Sequence, residues 1–191
     1  MPVLVVGGPS NVGKTTAAST IGQALMCSLF HVDDLARASS DPALAFERYE
    51  NTWSKPPHVL CLLLIRKGEA LWPELQSRIA ASSAPDRTTI FEGEGPSPAA
   101  LSGLRSLYVR PAFIVERDAA RLHETLWSRS AKYRALPEGH RKNVVGMNVQ
   151  YAEWLIHECE GAAMPYLPSQ PWNTLSQRLA RAWRLPISFT D

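Results

Sequence analysis

Near its start the chain carries Gly8-Pro9-Ser10-Asn11-Val12-Gly13-Lys14-Thr15, set between an apolar run, Val3–Val6, and a segment, Lys14–Leu25, in which Ala17, Ala18, Ile21 and Leu25 form a near-helical stripe. An apolar run without polar alternation, ended by Gly7-Gly8, is what a central parallel strand covered on both faces requires. The stripe is that of an amphipathic helix. Strand, G-x4-G-K-T, then helix confines the chain to an α/β fold with a mainly parallel sheet. Each part of the loop has a physical job. The glycines let successive backbone N–H groups converge on phosphate oxygens, and the helix N-terminus adds a favourable dipole. Lys14 supplies a point charge for β- and γ-phosphates, and the Thr15 hydroxyl suits Mg2+. Gly8, Ser10, Asn11, Val12, Gly13, Lys14, Thr15 and Thr16 are therefore the candidate nucleotide-binding residues, with Thr15 also a candidate metal ligand.

The remaining pattern predicts further strands at Ser28–Val32, Thr88–Phe91, Ala112–Val115 and Met164–Leu167. Helices are expected over Pro42–Trp53, His58–Ala81 (bent or restarted at Pro73), Asp118 to about Arg129, Asn143–Cys159 and Asn173–Trp183. Asp118 is the expected N-cap of its helix, and Lys132–Lys142 has little periodicity. Alternating strands and helices imply βαβ units, hence a three-layer α/β/α sandwich on a five-stranded, mainly parallel sheet. At 191 residues the chain suits one domain spanning residues 1–191. The 20 basic residues are scattered and the net charge is only +2, which argues against a nucleic-acid partner. The apolar run Val59–Ile65 falls far short of the ~20 residues of a membrane span. Cys27, Cys61 and Cys159 form no CxxC pair, as expected of core thiols in the cytoplasm. No feature specifies an oligomeric state.

In a parallel sheet, ligands gather at the carboxyl ends of the strands. Asp33-Asp34 follows the second strand and Glu92-Gly93-Glu94-Gly95 the third, so both acidic pairs are expected to face the loop. A carboxylate after strand two can deprotonate or orient an acceptor hydroxyl; Asp33 is the expected base and Asp34 the second choice. One of the two could instead cap a helix beginning at Leu35. Glu92, nearest its strand, is the metal candidate, because Mg2+ keeps several waters and needs few carboxylates. Glu94 is placed for the acceptor.

Taken together, the loop after strand one, the acidic pair after strand two, the acidic-glycine turn after strand three and Arg129 at the end of a helix resemble the adenylate-kinase and shikimate-kinase class of P-loop kinases. The pattern is nearest to small-molecule O-kinases of the chloramphenicol phosphotransferase type, whose acceptor base is an Asp after strand two, here Asp33. The resemblance implies ATP and Mg2+, and transfer of the γ-phosphoryl group to a hydroxyl of a small molecule. It also implies a small helical lid over about 130–142 with Arg129 and Arg141 as catalytic arginines, and an acceptor segment over about 34–84 containing Arg48. It further puts Trp172 where this class holds the base. The alternatives are a nucleoside or nucleotide kinase and a regulatory P-loop switch, although the guanine-reading Asn-Lys-x-Asp is absent.

Overall fold

The computed structural model describes residues 2–39, 44, 51–82, 88–104 and 108–187. Five strands form one sheet: β1 Val3–Gly7, β2 Ser28–His31, β3 Thr89–Gly93, β4 Val109–Val115 and β5 Tyr166–Pro168. Their order is β2-β3-β1-β4-β5, and every neighbouring pair is parallel. Among the described residues the α-helices are α1 Lys14–Leu25, α2 Asp33–Ala38, α3 Pro57–Ala81, α4 Pro98–Ser102, α5 Ala119–Arg129, α6 Ala131–Ala135, α7 Glu138–Gly161 and α8 Leu175–Ala182. Short 3-10 turns precede α3 at Thr52–Ser54 and α8 at Trp172–Thr174.

The pleat of β1 divides the core. Val3 and Val5 join Phe91, Phe113 and Val115 in a cluster beneath α3 and α7. Leu4 and Val6 join Ile90, Ala112 and Ile114 beneath α1 and α8. All five β1 residues are buried, which is why this strand carries no polar alternation. The result is the expected three-layer α/β/α sandwich on a parallel sheet. A smaller cluster, Leu122, Leu126, Tyr133, Val144 and Val145, ties α5, α6 and the start of α7 together above the sheet. No helix among the described residues is long and apolar enough to cross a membrane.

Several boundaries differ from the sequence expectation. Strand β3 runs on to Gly93 because Glu92 and Gly93 pair with Val6 and Gly7. Strand β4 begins at Val109 although it contains Pro111. Phe113 directs its N–H towards Pro165, so Pro111, two residues earlier, turns its missing donor to the same side before β5 begins. Strand β5 begins two residues later than expected. Helix α3 is not restarted at Pro73; Pro73 and Glu69 are both exposed, so solvent can meet the carbonyl that proline leaves unbonded. Helix α7 starts at Glu138 rather than Asn143, and Ala131–Ala135 is helical. Of residues 131–142 only Tyr133 is buried, so these turns carry no apolar stripe to show a period. The last helix is preceded by a 3-10 turn rather than starting at Asn173. The helix expected over Pro42–Trp53 lies mostly outside the described residues, and its described end is the 3-10 turn at Thr52–Ser54.

Candidate active site

The loop from Gly8 to Thr15 closes tightly over the sheet. Gly8 has φ +145°, and a Cβ there would stand 2.1 Å from the Ile114 carbonyl oxygen. Gly13 caps α1 at φ +91°, a left-handed conformation that glycine adopts without steric cost. Val12 anchors the loop in the core beneath α1. No acidic residue occupies the first turn of α1, so its N–H groups and dipole are left for an anion. The Lys14 ammonium curls back over the loop and donates to the Pro9 carbonyl at 2.6 Å.

Two carboxylates from β3 and the turn after it meet this loop. Thr15 Oγ1 donates to Glu92 Oε2 at 3.0 Å, and the other Glu92 oxygen contacts His31 Nδ1. Glu92 is buried, and the β2–β3 register sets His31 directly opposite it. One residue pair further on, Ser10 Oγ donates to Glu94 Oε1. Glu94 is also buried. A hydroxyl and a carboxylate side by side beneath the Gly8–Thr15 loop fit Mg2+, which takes one or two protein oxygens and completes its shell with water and phosphate. Among the described residues no group of three or more His, Cys, Asp or Glu forms a cage for a metal.

Asp33 opens α2, with Oδ1 buried. Neither acidic residue caps a helix at Leu35: the helix already begins at Asp33, so both lie in its first turn. Asp34 turns outward and pairs with Arg37 at 2.7 Å, both side chains more than half exposed. The structure does not bring Asp34 to the loop. Tyr151 of α7 stands near both Glu94 and Asp33. Burial pushes its phenol well above the usual range, and the Glu94 and Asp33 carboxylates add to the shift; a backbone hydrogen bond from Gly95 acts the other way. The phenol therefore stays protonated at working pH.

A cavity of about 150 Å³ opens on the loop at Ser10 and Asn11 and is bounded by α3, α5, α6 and α7. Its other polar lining groups are Glu94, Ser130, Lys132, Tyr133 and Asn148. Arg129, at the end of α5, lies 4.3 Å over the Trp172 ring. Together with Gly13 and Thr16 these two line a second small recess beside α1. The turn carrying Trp172 is held by Arg178, which donates to the carbonyls of Pro168 at 2.6 Å and Pro171 at 2.9 Å. Arg141 is directed elsewhere: it donates to the Leu136 carbonyl at 2.6 Å and lies over Trp127, so it braces α6 against α7. Arg48 lies outside the described residues.

Sequence reasoning passed over Lys132, Asn148, Tyr151 and His31. Asn148 had a visible signal, a polar residue in register with Val144, Tyr151, Ala152 and Leu155 on the buried face of α7. His31 had none, because its partner is sixty-one residues away and only strand pairing joins them.

Sheet order, loop and strand-end carboxylates define the P-loop type of α/β fold. Solved structures with this fold include a gluconokinase from Sinorhizobium meliloti, with TM-score 0.64, 11% identity and coverage of 96% of this chain and 91% of that one. Another is a Chloroflexus aurantiacus protein provisionally assigned as a kinase, with TM-score 0.53, 18% identity and coverage of 95% and 98%. No protein-family model and no curated protein sequence matches the chain.

Proposed function

We propose that this chain is a single-domain, ATP-dependent phosphotransferase that moves the γ-phosphoryl group to a hydroxyl of a small molecule. The observation that carries the reading is the pair of contacts Thr15–Glu92 and Ser10–Glu94. They give one loop both a metal-holding carboxylate and a second carboxylate at the mouth of a cavity. The gluconokinase with the same fold, by its name a small-molecule kinase, supports it.

Lys14 and the loop N–H groups bind the β- and γ-phosphates, while Thr15 and Glu92 would hold Mg2+. The ion, when bound, neutralises charge on the phosphates. The base lies against Trp172 and Arg129 beside Thr16. Glu94, set by Ser10, orients the acceptor hydroxyl, and Asp33 takes its proton. The new bond joins the acceptor oxygen to the γ-phosphorus as the bond to the β-phosphate bridging oxygen breaks, leaving a phosphomonoester and ADP. Helices α5 to α7 form the lid that excludes water. Arg141 fixes the lid's shape, and Lys132 is the lid cation that reaches the cavity. Within the small-molecule kinases we place the chain with the O-kinases of the chloramphenicol phosphotransferase type. Its three free thiols suit the reducing cytoplasm.

The test is ADP formation measured across polyols, sugar acids, amino alcohols, aryl alcohols, nucleosides and nucleoside monophosphates. At least one non-nucleotide alcohol is expected to stimulate turnover by well over tenfold. Stimulation by nucleosides or monophosphates alone would make the chain a nucleotide-type kinase. Slow turnover that no acceptor stimulates would make it a hydrolytic switch.

A further inference from the structure

We infer that the acceptor has an apolar, ring-sized body and presents a hydrogen-bond donor to Asn148, which selects it against sugar acids and nucleotides. This deepens the phosphotransferase reading and rests on it. The cavity beside the loop has walls supplied by Trp53, Leu64, Leu126, Leu136, Val144 and Met147. Its volume of about 150 Å³ is of the order that admits a single benzene-sized ring when the walls are apolar. Most of the lining surface is carbon, so a polyhydroxylated chain in such a place would set several of its hydroxyls against apolar side chains.

Asn148 supplies the polar anchor. The residue is only 1% exposed. Its amide N–H donates to the Val144 carbonyl at 2.8 Å, which fixes which end of the side chain is which. The other end, Oδ1, is buried with no hydrogen-bond partner in the protein. The residue lines the cavity, and this oxygen can only accept. A buried acceptor held in one orientation by its own helix reads an N–H or O–H on the ligand and penalises an analogue that lacks it.

The charge of the lining agrees. Among the described lining residues the cation is Lys132 and the anion Glu94, and none is an arginine. Carboxylates and phosphates are bound by paired, fork-shaped guanidinium donors, and the described lining residues offer an anionic acceptor no such clamp. The acceptor therefore enters with its hydroxyl at Glu94 beside the loop, its ring among the apolar side chains and its donor at Asn148.

The experiment uses the full chain with MgADP and four probes: 4-(hydroxymethyl)benzamide, its methyl ester counterpart, D-gluconate and AMP. Ligand-observed NMR reads binding, and ADP formation from MgATP reads transfer. The amide is expected to bind roughly tenfold more tightly than the ester, the worth of one hydrogen bond. Asn148→Leu, of similar volume, is expected to erase that difference while circular dichroism stays native. If that variant does not fold, the amide-to-ester ratio in the unaltered protein still decides. Equal binding of amide and ester, or no binding of the amide at millimolar concentration, would overturn the inference. Transfer to D-gluconate or AMP but not to the amide would overturn it while leaving phosphoryl transfer standing. Binding of the amide without transfer to any probe would keep the pocket assignment and count against the kinase reading.

Discussion

The contact between Thr15 and Glu92 joins the first turn of α1 to the end of β3, where the proposed metal would share ligands with the phosphates. Replacing Glu92 by Gln keeps the shape and the hydrogen bond but removes the charge. Mn2+ affinity of the ATP-bound protein, read by electron paramagnetic resonance, should then fall roughly 10- to 100-fold, the range for residues acting through a metal's outer shell. Asp33 and Glu94 should separate kinetically. Asp33→Asn is expected to lower kcat by roughly 10²- to 10⁴-fold, the worth of a general base, with ATP binding unchanged. Glu94→Gln should act mainly on the acceptor KM. The opposite split would exchange their roles. Tyr151 carries a pH consequence. Its folded pKa is raised above the unfolded value of about 10, so its contribution to stability is complete below that pH and is lost as pH climbs through the folded value. Tyr151→Phe should flatten the alkaline fall in urea-unfolding free energy between about pH 10 and 11, at a cost of about 1 kcal/mol at neutral pH for the lost hydrogen bond.

Elements differ in how far their sequence announces them. The loop and α1 were legible because their chemistry is local: glycines where the backbone turns, and an apolar stripe at once behind them. Asp118 was legible as a cap for the same reason, accepting from Ala120 and Arg121 N–H groups. Helix α6 and the first turn of α7 were not, because five residues cannot show a period and Glu138–Lys142 buries no residue and so carries no apolar stripe. At the site, Glu92 and Glu94 could be placed at a strand end, but their partners His31 and Ser10 are set by sheet register and loop closure, which no short window contains. The same close packing yields a prediction for α3. A Cβ on Gly68 would stand 2.6 Å from the Gly95 carbonyl oxygen, against the turn that carries Glu94. Gly68→Ala should cost ~1–3 kcal/mol by overpacking, read by chemical denaturation, and should raise the acceptor KM more than that for ATP. On α7, burial and the neighbouring Glu158 and Glu160 carboxylates push the Cys159 thiol up to about 12. It should react with a thiol reagent at pH 8 only after denaturant is added.

At the scale of the whole molecule, two apolar layers hold a parallel sheet whose β1 and β3 ends carry the Gly8–Thr15 loop, Glu92 and the turn with Glu94, with Asp33 just beyond β2. The helices above close a cavity over them. The central claim is that this arrangement hands a phosphoryl group to an organic hydroxyl instead of to water. The most direct measurement is phosphorus-31 NMR of the reaction with MgATP and whichever alcohol stimulates turnover, run beside Lys14→Ala. The account predicts a phosphomonoester resonance growing in step with ADP, with little inorganic phosphate, and neither product in the variant. Inorganic phosphate accumulating in step with ADP, with no phosphomonoester for any alcohol, would contradict it.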